Sequence, residues 1–312
     1  MMRIGIAGCG RITERGYIPA VRALPDARIV ALADPDAERL RHCRELCGRG
    51  PEEAAAFTDA RELLAAEAID LLVIATPAAS HAGLAAEAAA VGVPALVEKP
   101  PAPDLAGAQL LAALDPEPLL AFNRRFLQGA EVLPAVPAQG WLELDLELRF
   151  RRGGWGAHEA HDEALLDAGI HLIDLACHLS GADPIAVRGA SISPERAAFE
   201  LELSRGRARI GCATDRGHRE AVLVRERAGK VLANWVWGGI RGRLKGRGDE
   251  DPLLRSLQRQ LVAAQGRLGG TESVIATAAD GIRAMAIVEA ARRSAELGGA
   301  EVTVAPLAEA PR

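Results

Sequence analysis

The apolar positions of this chain change rhythm near residue 123. Before it, unbroken apolar runs at RIGIAG (3–8), ARIVALAD (27–34), DLLVIATP (70–77), VPALVEK (93–99) and PLLAFN (118–123) alternate with helix-period segments at 12–24, 36–47, 59–67, 80–91 and 104–114. A strand without a polar face is covered on both sides, and strands separated by helices run parallel. A weaker strand, Ala54–Phe57, completes the set. The first part of the chain is thus expected to be α/β, with a doubly wound parallel sheet.

After Asn123 the pattern turns to strict alternation in WLELDLELRF (141–150), the mark of a strand with one wet face. A helix is expected over 162–180. Strand-like runs come next at 185–193, 197–203, 207–213, 219–226 and 230–237, without helices between them, which predicts antiparallel pairing. Helices near 252–265 and 272–297 and a short strand, EVTV (301–304), close the chain, and no internal repeat is present. The glycine-rich charged stretch RGRLKGRGDEDP (241–252) reads as a surface loop.

Two glycines sit at the first turn. GIAGCGRIT places Gly8 and Gly10, then Arg11 and Ile12, between the first strand and a helix. Such a turn lets backbone approach a pyrophosphate, whose charge the helix N-terminus favours. The third position of the usual pattern is Thr13 instead of Gly or Ala. The second strand ends in Asp34, 26 residues after Gly8, where a carboxylate can accept from both ribose hydroxyls. It would repel a 2′-phosphate, so NAD is expected, with NADP possible because Arg39 lies nearby. Thr76, Pro77 and His81 come after the fourth strand, at the carboxyl edge where open α/β sheets bind ligands.

Lysine usage singles out another position. Of 37 basic residues only Lys99, Lys230 and Lys245 are lysines. Lys99 closes an apolar strand in the sequence Glu98-Lys99-Pro100. A lysine amine is a compact donor that can be tuned, whereas a guanidinium is a wide fork that stays protonated. A second constellation is the apolar helix ALLDAGIHLIDLACHLSG. In α geometry Asp167, His171, Asp174 and His178 lie within roughly 60° of one another. A carboxylate four residues before an imidazole can orient the ring and raise its basicity. Metal binding is the competing use of such a stripe. HEAHDE (158–163) spaces its histidines by three, so the HExxH geometry is absent and no metal is expected.

Together these residues resemble the glucose–fructose oxidoreductase / inositol dehydrogenase / MocA (Gfo/Idh/MocA) family. The matching pieces are Gly8-x-Gly10, Asp34, Thr76-Pro77 with His81, EKP at 98–100, NRRF at 123–126, DAGIHLID at 167–174, and the closing ADGIRAMAIVEAARRSAELGGAEVTV. The resemblance implies a Rossmann domain over 1–122. Over 123–312 it implies a substrate-binding and oligomerisation domain with a large open, mostly antiparallel sheet, joined as homodimers or homotetramers. It further implies Lys99 beside the nicotinamide, Asp167 and His171 as acid/base residues, and sugar, cyclitol or nucleotide-sugar substrates. Glu98 is expected either to contact the nicotinamide end or to fix Lys99, and Asn123, Arg124 and Asp174 are expected toward substrate. The segment LQGAEVLPAVPAQG (127–140) is shorter than the family's helix there, and His161-Asp162-Glu163 replaces small glycines; both touch on substrate identity. Alternatives on the same scaffold are a lyase or glycosidase that oxidises transiently with tightly bound NAD, a cofactor-binding regulator without catalysis, and a biliverdin-type reductase.

Bulk properties narrow the partners. At 312 residues two cored domains fit. A net charge of −5 gives no reason to expect nucleic acid or an anionic membrane as partner. No apolar run reaches the roughly 18 residues of a membrane span. The opening MMRIGIAGCG does not read as a secretory leader. Cys9, Cys43, Cys47, Cys177 and Cys212 form no disulfide or zinc pattern, and a reducing cytoplasm is expected.

Overall fold

A computed structural model describes residues 1–48, 54–127, 140–155, 163–238 and 251–306. The chain divides into two compact units: Met1–Phe126 with Glu250–Gly281, and Leu127–Asp249 with Ile282–Arg312. The loop expected at 241–252 and the shortened segment at 127–140 fall almost wholly outside the described residues, as do positions 158–162 of the HEAHDE stretch.

In the first unit, strands β1 (Met2–Ala7), β2 (Ala27–Ala33), β3 (Ala55–Phe57), β4 (Leu71–Ile74), β5 (Ala95–Val97) and β6 (Leu119–Leu120) are joined by a further strand, β13 (Ala276–Thr277). Among the described residues the order is β13-β6-β5-β4-β1-β2-β3. The pairs are parallel throughout except β13, which runs antiparallel to β6. Helices α1 (Ile18–Arg22), α2 (Ala37–Cys47), α3 (Ala60–Ala66), α4 (His81–Ala90) and α5 (Leu105–Ala112) make the crossovers. All four residues of β4 are fully buried, as the unbroken apolar run requires. Aspartates start three of the helices: Asp36 accepts from the amides of Glu38 and Arg39, Asp59 from Arg61 and Asp104 from Gly107.

The boundary expected at residue 122 is corrected in two places. NRRF forms a 3-10 turn (Asn123–Phe126) that belongs to the first unit, where Phe126 is buried in the core. The chain then builds helix α6 (Ile170–Ser180) in the second unit and returns to the first as helix α7 (Pro252–Leu268). Leu257, Leu261 and Ala264 of α7 are fully buried in the same core as Phe126. Gly16 makes room: a Cβ there would lie 2.7 Å from Leu257 Cδ1. The helix expected over 272–297 starts later, as α8 (Ala278–Glu296), because residues 276–277 pair with β6 instead and Asp280 accepts the Thr277 amide at 3.0 Å. Leu261→Ala is therefore expected to destabilise the first unit by about 2–5 kcal/mol. Urea unfolding would show it; an unchanged midpoint would contradict the assignment of α7 to this core.

The second unit holds β7 (Leu142–Arg151), β8 (Pro184–Ile192), β9 (Arg196–Leu203), β10 (Gly206–Ala213), β11 (Asp215–Glu226), β12 (Val231–Gly238) and β14 (Val302–Thr303). Their order is β12-β11-β7-β10-β9-β8-β14 among the described residues. Every pair is antiparallel except β7 with β10. That exception arises because the chain leaves β7 through α6 and the β8–β9 hairpin before returning. Leu142, Leu144, Leu146 and Leu148 are buried on one face of β7. On the other, Glu143 meets Arg207 at 2.6 Å, Glu147 meets Arg219 at 2.7 Å, and Asp145 meets Arg209 at 3.4 Å and also Arg225. These half-exposed pairs are each worth about 0–1 kcal/mol, so the leucine face, not the ion pairs, holds the sheet.

Candidate active site

The turn after β1 is shaped by protein contacts at one glycine and by open space at the other. Gly8 has φ +100°, and a Cβ on it would lie 2.5 Å from the Ala75 carbonyl oxygen. Only glycine lets the turn cross the end of β4 so closely. Gly10 has ordinary backbone angles and nothing within 4 Å of where its Cβ would point. Its missing side chain thus leaves room for a ligand to approach the backbone, which is what a pyrophosphate needs. Thr13, the departure from the glycine pattern, is fully buried and its hydroxyl donates to the Gly8 carbonyl at 2.6 Å. It ties the start of the helix to the turn. The residues Thr13–Tyr17 form a π turn, a feature that recurs at functional sites.

Asp34 is buried at the end of β2. Its Oδ2 accepts the Cys9 amide at 2.7 Å and its Oδ1 the Asp36 amide at 2.8 Å. The carboxylate so joins the glycine turn to β2, and each oxygen keeps a further lone pair for a ribose hydroxyl. Arg39, considered as a softener of NADP exclusion, is paired with Asp36 at 3.3 Å. Arg11 pairs with Glu14 at 3.0 Å, and Ile12 lies half-buried against the core. Cys9, in the glycine turn, and Cys43 of α2 are buried neighbours; the Cys43 thiol donates to the Cys9 carbonyl at 3.7 Å.

Beyond β4, Thr76 accepts the Ser80 hydroxyl at 2.8 Å while Pro77 is exposed. His81 is 1% exposed, with Nε2 at 2.8 Å from the Thr76 carbonyl and Nδ1 at 3.3 Å from that of Pro101. It links the loop after β4 to the loop that carries Lys99. Expected among the cofactor residues, it makes the contacts of a loop brace.

Lys99 is half-buried directly after β5, and the Lys99–Pro100 peptide is cis. Glu98 beside it is buried. Its Oε2 accepts the Lys99 backbone amide at 3.0 Å and its Oε1 the Tyr17 hydroxyl at 2.7 Å. Burial pushes the Glu98 carboxyl above the usual carboxylate range, opposed by Tyr17, Lys99 and Arg124. Asn123, expected to face substrate, is buried. Its amide donates to Ser256 of α7 at 3.1 Å and accepts from Arg124 at 3.3 Å. Arg125 pairs with Asp280 at 3.2 Å and donates to the Val274 carbonyl. NRRF therefore fastens the α7–β13 return to the first sheet.

In the second unit the Asp–His helix begins with a π turn, Leu165–Gly169, ahead of α6. The wheel drawn in pure α geometry is corrected there, since the wider turn rotates Asp167 relative to the residues after it. His171 and Asp174 are buried at 6% and 3% exposure, and His178 is half-buried. Asp167 forms an ion pair at 3.3 Å with Arg152, a partner that sequence spacing could not have revealed. Gly169 permits the close approach of this helix to β10: a Cβ would lie 3.2 Å from Cys212 Sγ. Glu220, 2% exposed on the leucine face of the sheet, was also missed; a charge inside an alternating strand reads as surface. Among the described residues no cluster of three or more His, Cys, Asp or Glu could hold a metal. Nor is any helix there long and apolar enough to cross a membrane.

Residues 2–117 match the family model described as "Oxidoreductase family, NAD-binding Rossmann fold". The chain is 32% identical over 188 residues to D-apiose dehydrogenase of Paraburkholderia graminis, covering 56% of this chain and 49% of that one. It is 30% identical over 192 residues to inositol 2-dehydrogenase of Leifsonia xyli, covering 59% and 55%. The aligned part thus spans about half the length of these relatives. The structure of myo-inositol dehydrogenase from Lactobacillus casei, in complex with NAD(H) and myo-inositol, superposes with a TM-score of 0.79 at 17% identity over 100% of this chain and 98% of that one. That likeness is one of fold, and it extends over both units. Residues 2–117, which carry the glycine turn and most of the parallel sheet, thus match the NAD-binding Rossmann domain of the Gfo/Idh/MocA oxidoreductase family.

Proposed function

We propose that this protein is an NAD-dependent oxidoreductase that moves a hydride between the nicotinamide and a secondary hydroxyl or ketone of a sugar, cyclitol or nucleotide-sugar-like substrate. The observation that carries the reading is the pairing, in one sheet, of an open cradle at Gly10 and Asp34 with the half-buried Lys99 at the end of β5. The curated relatives act on inositol and D-apiose by name, which supports a polyol or sugar.

The glycine turn and Asp34 would hold the pyrophosphate and ribose of the dinucleotide, which supplies the hydride acceptor when bound. His171 takes the hydroxyl proton as general base. Asp167, paired with Arg152, favours the imidazolium that forms. Lys99 serves as the donor that stabilises a developing alkoxide. Asp174 extends the polar side of α6 toward substrate. In reduction the proton moves the other way.

The test is a panel of polyols, sugars and nucleotide sugars with NAD and NADP, monitored at the reduced nicotinamide absorbance. Turnover with NAD on a cyclitol or sugar is expected; no turnover and no NADH binding would refute the reading. Asp34→Asn is expected to narrow the preference for NADH over NADPH by about tenfold, since it removes the charge that repels the 2′-phosphate while keeping an acceptor. Fluorescence titration of both reduced cofactors measures it, and an unchanged ratio would take discrimination away from Asp34.

A further inference from the structure

We propose that Tyr17 and Gln260 are positioning residues for Glu98 and, through it, for Lys99. The proposal rests on the functional reading above for what Lys99 does. Tyr17 and Gln260 are both fully buried, and neither belongs to a motif of the family as read from the sequence. A phenylalanine would fill the Tyr17 site as well, so its hydroxyl, which must be bonded when buried, calls for a reason.

The reason is the order of donors. Gln260 Nε2 of α7 lies 3.4 Å from the Tyr17 hydroxyl and can only donate. The phenol oxygen accepts there, and its single proton goes to Glu98 Oε1 at 2.7 Å. The Lys99 backbone amide, also only a donor, occupies Glu98 Oε2 at 3.0 Å. Both carboxylate oxygens therefore meet donors, a set that suits an ionised, acceptor-only group. Turning the Gln260 amide would present an acceptor to Tyr17 and draw its proton away from Glu98.

The charged and titratable groups facing Glu98 are Tyr17 from the π turn, Lys99 from its own strand end and Arg124 from the turn after β6; all three oppose the burial that raises its carboxyl. The Tyr17 phenol is itself held well above its usual range by burial and by Glu98, so it retains the proton it donates. Helix α7 thereby reaches the reacting lysine through one hydroxyl and one carboxylate, and the lysine's own backbone is the last link.

Tyr17→Phe keeps the packing and removes the donor. With ¹³C-carboxyl glutamate, the Glu98 resonance is the one lost in Glu98→Gln. Its titration midpoint is expected to rise by about one pH unit in Tyr17→Phe, the worth of one hydrogen bond to a charged group. Gln260→Leu is expected to move it the same way by less. The acid limb of kcat should shift in step, with KM for NAD little changed. A lowered Tm with the Glu98 midpoint unmoved in both variants would show a structural role only and overturn the proposal. The titration needs no cofactor. If wild-type protein binds no NADH, the functional reading fails, while the midpoint still decides whether Tyr17 and Gln260 govern Glu98.

Discussion

Lys99→Met lowers turnover by at least about 10²-fold while NADH still binds, if the lysine handles the reacting oxygen. Methionine matches the length of the aliphatic stem but has no donor. The backbone clamp from Glu98 to the Lys99 amide does not involve the side chain, so the loop is expected to keep its place. Lys99→Arg is expected to be nearly as poor, because a guanidinium fork is too wide for a position that serves one oxygen. His171→Ala should lose a similar factor, since a positioned general base contributes about 10²–10⁴-fold. Steady-state kinetics on the substrate found by the panel, with NADH fluorescence as control, decides it. Unchanged turnover in either purified variant would remove that residue from the chemistry.

Gly8→Ala and Gly10→Ala are expected to fail in different ways. At Gly8 the added Cβ would sit 2.5 Å from one backbone oxygen and 2.7 Å from its carbonyl carbon, on a residue with φ +100°. Neither neighbour is a flexible side chain that could step aside. The strain and overpacking together cost about 3 kcal/mol or more, enough to drop Tm sharply and take NADH binding with it. Gly10→Ala adds a methyl to open space at ordinary backbone angles. Its stability should stay within about 0.5 kcal/mol of wild type, with NADH affinity down by about tenfold or more where the methyl meets the pyrophosphate. Thermal unfolding and fluorescence titration of the two variants read both effects. A Gly10→Ala protein that binds NADH normally would mean that the dinucleotide does not pass over Gly10.

The first sheet was readable because of how its strands are buried. A strand covered on both faces has no polar position to spare, so LLVI at 71–74 and IGIA at 4–7 appear as bare apolar runs. The second sheet was readable for the opposite reason: leucines alternate with charges along β7 because one face is wet. Gly8 and Gly10 stood out as paired glycines in the turn after the first strand, Asp34 as a carboxylate closing the second, and Lys99 as a rare lysine in an arginine-rich chain. The Asp–His helix stood out because polar residues are rare in an otherwise apolar helix. Its π turn did not, since an extra residue in one turn leaves no compositional mark.

Other features were out of reach for a different reason. The polarity pattern of 252–268 says that this helix has a buried face, yet nothing local says against which core, and only the burial of Leu257 and Leu261 beside Tyr17 and Phe126 assigns it to the first unit. Ser256 and Gln260, polar residues on that face, look like errors of patterning until Asn123 and Tyr17 are seen opposite them. Arg152 and Asp167 are fifteen positions apart, and Arg125 and Asp280 more than one hundred and fifty; ion pairs of that kind carry no spacing rule. Strand type, turn chemistry and the candidate residues of the site depend on neighbours along the chain, and so are written in the order of the residues. Which core a helix enters, and which donor holds a buried carboxylate, depend on contacts between distant segments. Those contacts form only when the backbone closes, because side-chain partners are chosen by proximity in space and not by distance along the chain.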